Sequence, residues 1–178
     1  MRIRPYIDSK DFDELQNWIT EERAHAMWCA NLINYPIEKE NFKKIMLEAA
    51  ERFGDSPYVA TSQDGQLMGF FCYSVNTDTN EGMLKFVMMN PEYRGKGYGK
   101  EMLKLALKYA FDITNVQAVQ LNVFPENEQA KKCYESIGFK ERKTDANAFT
   151  YKDESWGRCN MVIHRFNQIT LSGCCCIN

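Results

Sequence analysis

Residues 82–111 decide the fold. They begin Gly82-Met83-Leu84-Lys85-Phe86-Val87-Met88-Met89-Asn90-Pro91-Glu92-Tyr93-Arg94-Gly95-Lys96-Gly97-Tyr98-Gly99, and Lys100 to Phe111 then follows at helical period. The order is an apolar strand, a glycine-rich turn and an amphipathic helix. Successive backbone N–H groups across such a turn can point at one anion. The positive end of the helix dipole adds to the attraction, and glycine lets a phosphate approach the main chain. Arg94, Gly95, Lys96, Gly97, Tyr98 and Gly99 are therefore the candidate phosphate cradle. Two better-known phosphate patterns are missing: the third glycine comes too early for G-x-G-x-x-G, and no Gly-Lys-Ser/Thr closes a P-loop. Taken alone, the glycines are equally compatible with a tight strand-to-helix turn.

Working outward, Arg2 to Ile7 alternates charged and apolar residues as a first strand. Ser9-Lys10-Asp11 offers an N-cap ahead of Phe12, Leu15, Trp18 and Ile19 at helical spacing. Ala24 to Leu32 reads as a second short helix, and Phe42 to Phe53 as an amphipathic one stopped by Gly54. Two strands, Tyr58 to Ser62 and Leu67 to Val75, flank an Asp64-Gly65 hairpin signal. Beyond the central helix, Val116 to Phe124 is a strand with Val119, Leu121 and Val123 on one face. Glu128 to Ser136 is a short helix closed by Gly138, and two more strands lie within Lys140 to Arg165. The expected fold is one α/β (α+β) domain over residues 1–165. Its sheet is mostly antiparallel, with a central parallel pair joined by the crossover helix.

Length and composition agree with that. A chain of 178 residues can bury a core without disulfides or a metal. The formal net charge of -2 argues against a dedicated nucleic-acid binder. No apolar run approaches the length of a membrane span and no secretory h-region opens the chain, so a cytoplasmic location without a membrane partner is expected. Seven cysteines is an odd number, and Cys29, Cys72, Cys133 and Cys159 form no C-x-x-C pair, so they read as reduced thiols. Residues 166–178, ending Cys174-Cys175-Cys176-Ile177-Asn178, read as a flexible tail.

Two motifs carry a family resemblance. Pro91 to Gly99 resembles the Arg/Gln-x-x-Gly-x-Gly/Ala signature of the GNAT N-acetyltransferase superfamily. Asn127-Glu128-Gln129-Ala130-Lys131-Lys132-Cys133-Tyr134-Glu135-Ser136-Ile137-Gly138-Phe139 is similar to that family's second signature, Asn-x-x-Ala-x-x-x-Tyr-x-x-x-Gly-Phe. The resemblance is strong from Gly82 to Phe139 and topological elsewhere. It implies acetyl-CoA as co-substrate, no metal, and direct acetyl transfer to a primary amine of a small molecule or protein, by a monomer or homodimer. It also implies that the glycine-bearing strand splays from its parallel neighbour, and that main-chain groups of Val87, Met88 and Met89 bind the pantetheine arm there. Asn127 would contact the cofactor or cap its helix, and Tyr134 would be the general acid at the leaving sulfur. Cys133, adjacent to it on the helix, is not expected to act as a nucleophile.

The base is the open position. Where some relatives carry a glutamate, this chain has Asn122, and where others carry one on the glycine-bearing strand it has Met83. Glu81, two residues earlier and on the same face, is the candidate base. Lys100, Lys104 and Lys108 read as a solvated face, and His25 and His164 as structural or surface residues. The missing glutamate keeps a non-catalytic acetyl-CoA-binding sensor or interaction module open as the alternative.

Overall fold

The computed structural model describes residues 1–165, so the expectation of a flexible tail over 166–178 lies outside the described residues. Strands β1 (Arg2–Pro5), β2 (Ser56–Thr61), β3 (Leu67–Asn76), β4 (Glu81–Met89), β5 (Ala118–Val123), β6 (Lys140–Tyr151) and β7 (Glu154–His164) form one sheet. Its order is β1-β2-β3-β4-β5-β7-β6, and every neighbouring pair is antiparallel except β4 with β5. The helices are α1 (Asp8–Leu15), α2 (Glu22–Cys29), α3 (Lys39–Phe53), α4 (Tyr98–Asp112) and α5 (Glu128–Ser136). α4 is the crossover between the parallel strands.

The sheet is covered on both faces, and β3 shows why its run is apolar without alternation. Phe71 and Tyr73 pack with Met102, Leu107 and Phe111 of α4, while Phe70 and Cys72 pack with Phe12, Leu15, Phe42 and Met46 of α1 and α3. Successive side chains of a strand point to opposite faces, so a strand between two helical layers needs apolar residues at every position. β7 inserts between β5 and β6, so the last hairpin joins the sheet by its second strand. Cys29, Cys72, Cys133 and Cys159 are free thiols, as expected. His25 is buried and His164 exposed, and neither lines a cavity of the candidate active site.

One local expectation is overturned. α1 starts at Asp8 and no side chain caps it, so the Ser9-Lys10-Asp11 cap does not form. Asp11 lies inside the helix instead. Its two oxygens accept from the Arg4 guanidinium at 2.6 and 2.7 Å, and one also accepts the Ile7 N–H at 2.8 Å. A buried carboxylate gains more from a strand guanidinium than from a cap, because charge-assisted hydrogen bonds are the stronger kind.

Candidate active site

The parallel ladder is short. It runs from Glu81 opposite Ala118 to Leu84 opposite Leu121, although β4 continues to Met89 and β5 to Val123. On the other edge of β4, Phe70 opposes Met88 and Cys72 opposes Lys85, so Phe71 alone faces both Phe86 and Val87. That is a β-bulge, with Phe86 in the left-handed region at φ 50°. A bulge bends its strand. β4 therefore parts from β5 where the ladder stops, and the main chain of Val87, Met88 and Met89 has no ladder partner on the β5 side.

A cavity of about 620 Å³ opens at this gap. Among the described residues its ionisable lining is Lys85, Arg94, Lys100 and Lys132 with Cys133 and Tyr134, and no carboxylate. Val87, Met88, Met89, Gly95, Gly97 and Gly99 line it too. Across the turn, the N–H groups of Gly95, Lys96, Gly97, Tyr98 and Gly99 donate to no acceptor among the described residues; the first N–H to be taken up in α4 is that of Lys100, by Gly97 O at 3.1 Å. The first turn of any helix leaves such donors unpaired. Gly95 and Gly97 hold φ 74° and 86°, and a Cβ at either would meet nothing within 4 Å, so backbone conformation sets the demand for glycine while the space above stays open. The cations, the donors and that space together fit the pyrophosphate of coenzyme A.

Three expected cradle residues differ from one another in placement. Arg94 lines the cavity, but its guanidinium donates to Met89 O at 3.0 Å and Trp18 O at 3.3 Å and so holds the turn against the core. The side chains of Lys96 and Tyr98 do not line the cavity; the Tyr98 ring packs edge-on against Tyr93 at 5.8 Å. Lys100, expected on a solvated face, does line it, because the first turn of α4 faces the gap. Lys108 is on the outer surface with Asp112 at 2.7 Å.

α5 supplies the other wall. Asn127 caps it, its Oδ1 accepting the Ala130 N–H at 3.2 Å, and the same residue lines the cavity. Tyr134 is 8% exposed and lines the cavity, and its hydroxyl makes no hydrogen bond among the described residues. Burial, with a smaller contribution from Cys133, pushes the phenol well above the ordinary tyrosine value, so it stays protonated and able to donate. Burial likewise raises the Cys133 thiol, which keeps it from being a ready nucleophile.

A second cavity of about 490 Å³ meets the first across the gap, sharing Met27, Trp28, Leu84, Lys85, Phe86, Asn122 and Val123 with it. Its remaining walls come from the end of α2 and the residues after it, from α3 with Asp55, from Met83 and Phe124, and from Arg158 of β7. Trp28 lies edge-on to Phe86 at 5.9 Å, with no acceptor for its indole N–H among the described residues. Lys85 is bound by both oxygens of the buried Asp55 at 2.8 and 2.9 Å. Glu48 and Asp55 are the lining carboxylates.

Glu81 is elsewhere, which corrects its expected place. It stands at the start of β4 where the ladder is closed, lines neither cavity, and accepts from Arg142 at 2.7 and 3.1 Å and from Gln120 at 2.7 Å. Glu81 and Met83 do share a face of the regular part of β4, but that part is zipped to β5, and the strand opens at its other end. Asn122 does line both cavities, accepting from Asn160 at 3.0 Å. Trp28, Lys85 and Asp55 escaped notice in the sequence; a lone lysine in an apolar strand was the available signal for Lys85.

Comparison with known proteins gives the class. The acetyltransferase (GNAT) family model matches residues 12–139. The spermine/spermidine N(1)-acetyltransferase of Bacillus subtilis (strain 168) is 28% identical over 127 residues, 68% of this chain and 84% of that protein. The spermidine N(1)-acetyltransferase of Vibrio cholerae serotype O1 is 38% identical over 55 residues, and that match spans 31% of this chain and only 32% of the relative's length. The solved structure of the Vibrio cholerae spermidine N-acetyltransferase in complex with CoA and spermine superposes with a TM-score of 0.77 at 20% identity, covering 93% of this chain and 95% of that one. The chain belongs to the GNAT acetyltransferase family, and its class is that of N-acetyltransferases that take the acetyl group from acetyl-CoA. Among the described residues no helix is long and apolar enough to cross a membrane, and no three His, Cys, Asp or Glu side chains gather as a metal site.

Proposed function

We propose that residues 1–165 form one catalytic domain that passes acetyl from acetyl-CoA directly to a primary amine, small-molecule or protein-borne, across the gap between β4 and β5. One observation carries this reading: a cation-lined cavity meets a second cavity where the strands part, and the N–H groups of its glycine turn and the tyrosine hydroxyl lining it have no partner among the described residues. Acetyl-CoA supplies a thioester. The N–H groups from Gly95 to Gly99, with Lys100 and Lys132, hold its phosphates, while Val87 to Met89 and Asn127 hold the pantetheine arm. The amine enters from the second cavity. As the new C–N bond forms and the C–S bond breaks, Tyr134 donates to the sulfur. An ordinary phenol is already less acidic than a thiol by a margin of about 2 kcal/mol, and burial of Tyr134 widens it, so its main work is a hydrogen bond to developing thiolate.

The attacking amine must first lose a proton. Asp55 is engaged by Lys85 through both oxygens, which leaves Glu48, at the open side of the second cavity, as the carboxylate that takes the proton through water. A pure acetyl-CoA sensor has no use for the free hydroxyl of Tyr134 beside this second cavity. Calorimetry with acetyl-CoA tests the reading: one site per chain at about -8 kcal/mol is expected, together with release of free coenzyme A when a primary amine is added. Gly97→Asp, which places a carboxylate where the phosphates lie and forces a left-handed φ on a non-glycine residue, is expected to abolish both. Absence of binding at millimolar acetyl-CoA overturns it.

A further inference from the structure

The charge and lining of the second cavity say more about the acceptor than the relatives do. Its apolar wall mixes aliphatic and sulfur side chains with four aromatic ones, Trp28, Phe53, Phe86 and Phe124. Two carboxylates, Glu48 and Asp55, face three cations, Arg52, Lys85 and Arg158. Most of these charges are already answered. Asp55 holds Lys85 at 2.8 Å, Arg158 reaches Asp145 at 3.3 Å, and Glu48 has Lys44 at 3.8 Å. Arg52 makes no ion pair among the described residues, and its guanidinium lies over the Phe53 ring at 5.0 Å. It lines the second cavity and not the first, so it stands on the side away from the phosphates.

Resting on the transferase reading, we propose that the acceptor is an aryl monoamine carrying an anionic group, and that Arg52 binds that group. A polyamine carries several ammonium groups and no hydrogen-bond acceptor. Here Asp55 is taken by Lys85 and Arg158 by Asp145, which leaves Glu48 as the one loosely held carboxylate against the unpaired Arg52, so most of a polyamine's charges stay unpaired. An aromatic body packs against those aromatic side chains, and a carboxylate at the end remote from the amine meets the planar fork of Arg52, which suits two-oxygen recognition. The amine then points toward the gap, where the two cavities share Lys85, Phe86 and Asn122.

The test uses the full chain, acetyl-CoA and three acceptors: phenethylamine, its para-carboxylate derivative, and spermidine, with release of coenzyme A as readout. The carboxylated amine is expected to exceed phenethylamine in kcat/KM by about tenfold, the scale of one charge-assisted hydrogen bond, with spermidine lowest. Arg52→Gln is expected to bring the two aryl amines together, and as an exposed helix residue Arg52 can be replaced without unfolding the chain. Spermidine as the best acceptor overturns the proposal while the transferase reading stands. So does a carboxylate advantage that survives Arg52→Gln, or failure of all three amines on a chain that binds acetyl-CoA. Failure to bind acetyl-CoA overturns the transferase reading itself, and this proposal with it.

Discussion

At the scale of single residues, Tyr134 and Glu81 make opposite predictions. Tyr134→Phe keeps the ring in its contact with Phe139 and removes only the hydroxyl. Turnover is expected to fall by about a hundredfold or more, with acetyl-CoA affinity unchanged, as steady-state kinetics and calorimetry will show. Unchanged turnover would remove Tyr134 from the chemistry. Glu81→Gln tests the corrected placement, since Glu81 is tied to Arg142 and Gln120 beyond both cavities. Its rate is expected to stay within about twofold of the parent across the pH range, because it lines neither cavity. A loss at neutral pH that recovers in alkali would restore Glu81 as the base.

At the scale of elements, the join between β1 and α1 rests on Arg4 and Asp11. Burial pushes the Asp11 carboxyl up, but the Arg4 hydrogen bonds and the Ile7 N–H outweigh it and hold the group below the usual carboxylate range. A depressed carboxylate contributes stability that is present above its unfolded value and lost as pH falls through its folded value. Asp11→Asn is therefore expected to cost about 2 kcal/mol at neutral pH, measured by urea denaturation, and the gap to the parent should close in acid. A gap that persists in acid would mean that Asp11 acts through packing and not through charge.

At the scale of the whole molecule, the proposed binding mode has acetyl-CoA tie β4, the turn before α4 and the start of α5 into one unit. A ligand bound only by the folded state stabilises it by about 2.7 kcal/mol at a hundredfold excess over Kd. For a chain of this length that raises Tm by about 5 to 10 °C. Added salt should shrink the shift, because the proposed mode places the phosphate end against Lys100, Lys132 and backbone donors at an open surface. A salt-independent shift would place the affinity in the pantetheine contacts instead.

Local patterns were enough for much of this molecule. The boundaries of α5 were legible in full, and Gly54 and the Pro91 to Gly99 turn marked their elements, because caps, glycines with positive φ and apolar periods act within a few residues of themselves. The two motifs with a strand between them were likewise enough for the family. The rest depended on distant partners. Asp11 abandons a cap for Arg4, and β7 rather than β6 lies beside β5, both decided by contacts between separate elements. Above all, one extra residue in β4 at Phe86 ends its pairing with β5, opening the gap and leaving Glu81 at the closed end. A bulge exists only relative to the strand alongside it, so the position of the site, and the charges gathered around the acceptor cavity, were settled by tertiary structure alone.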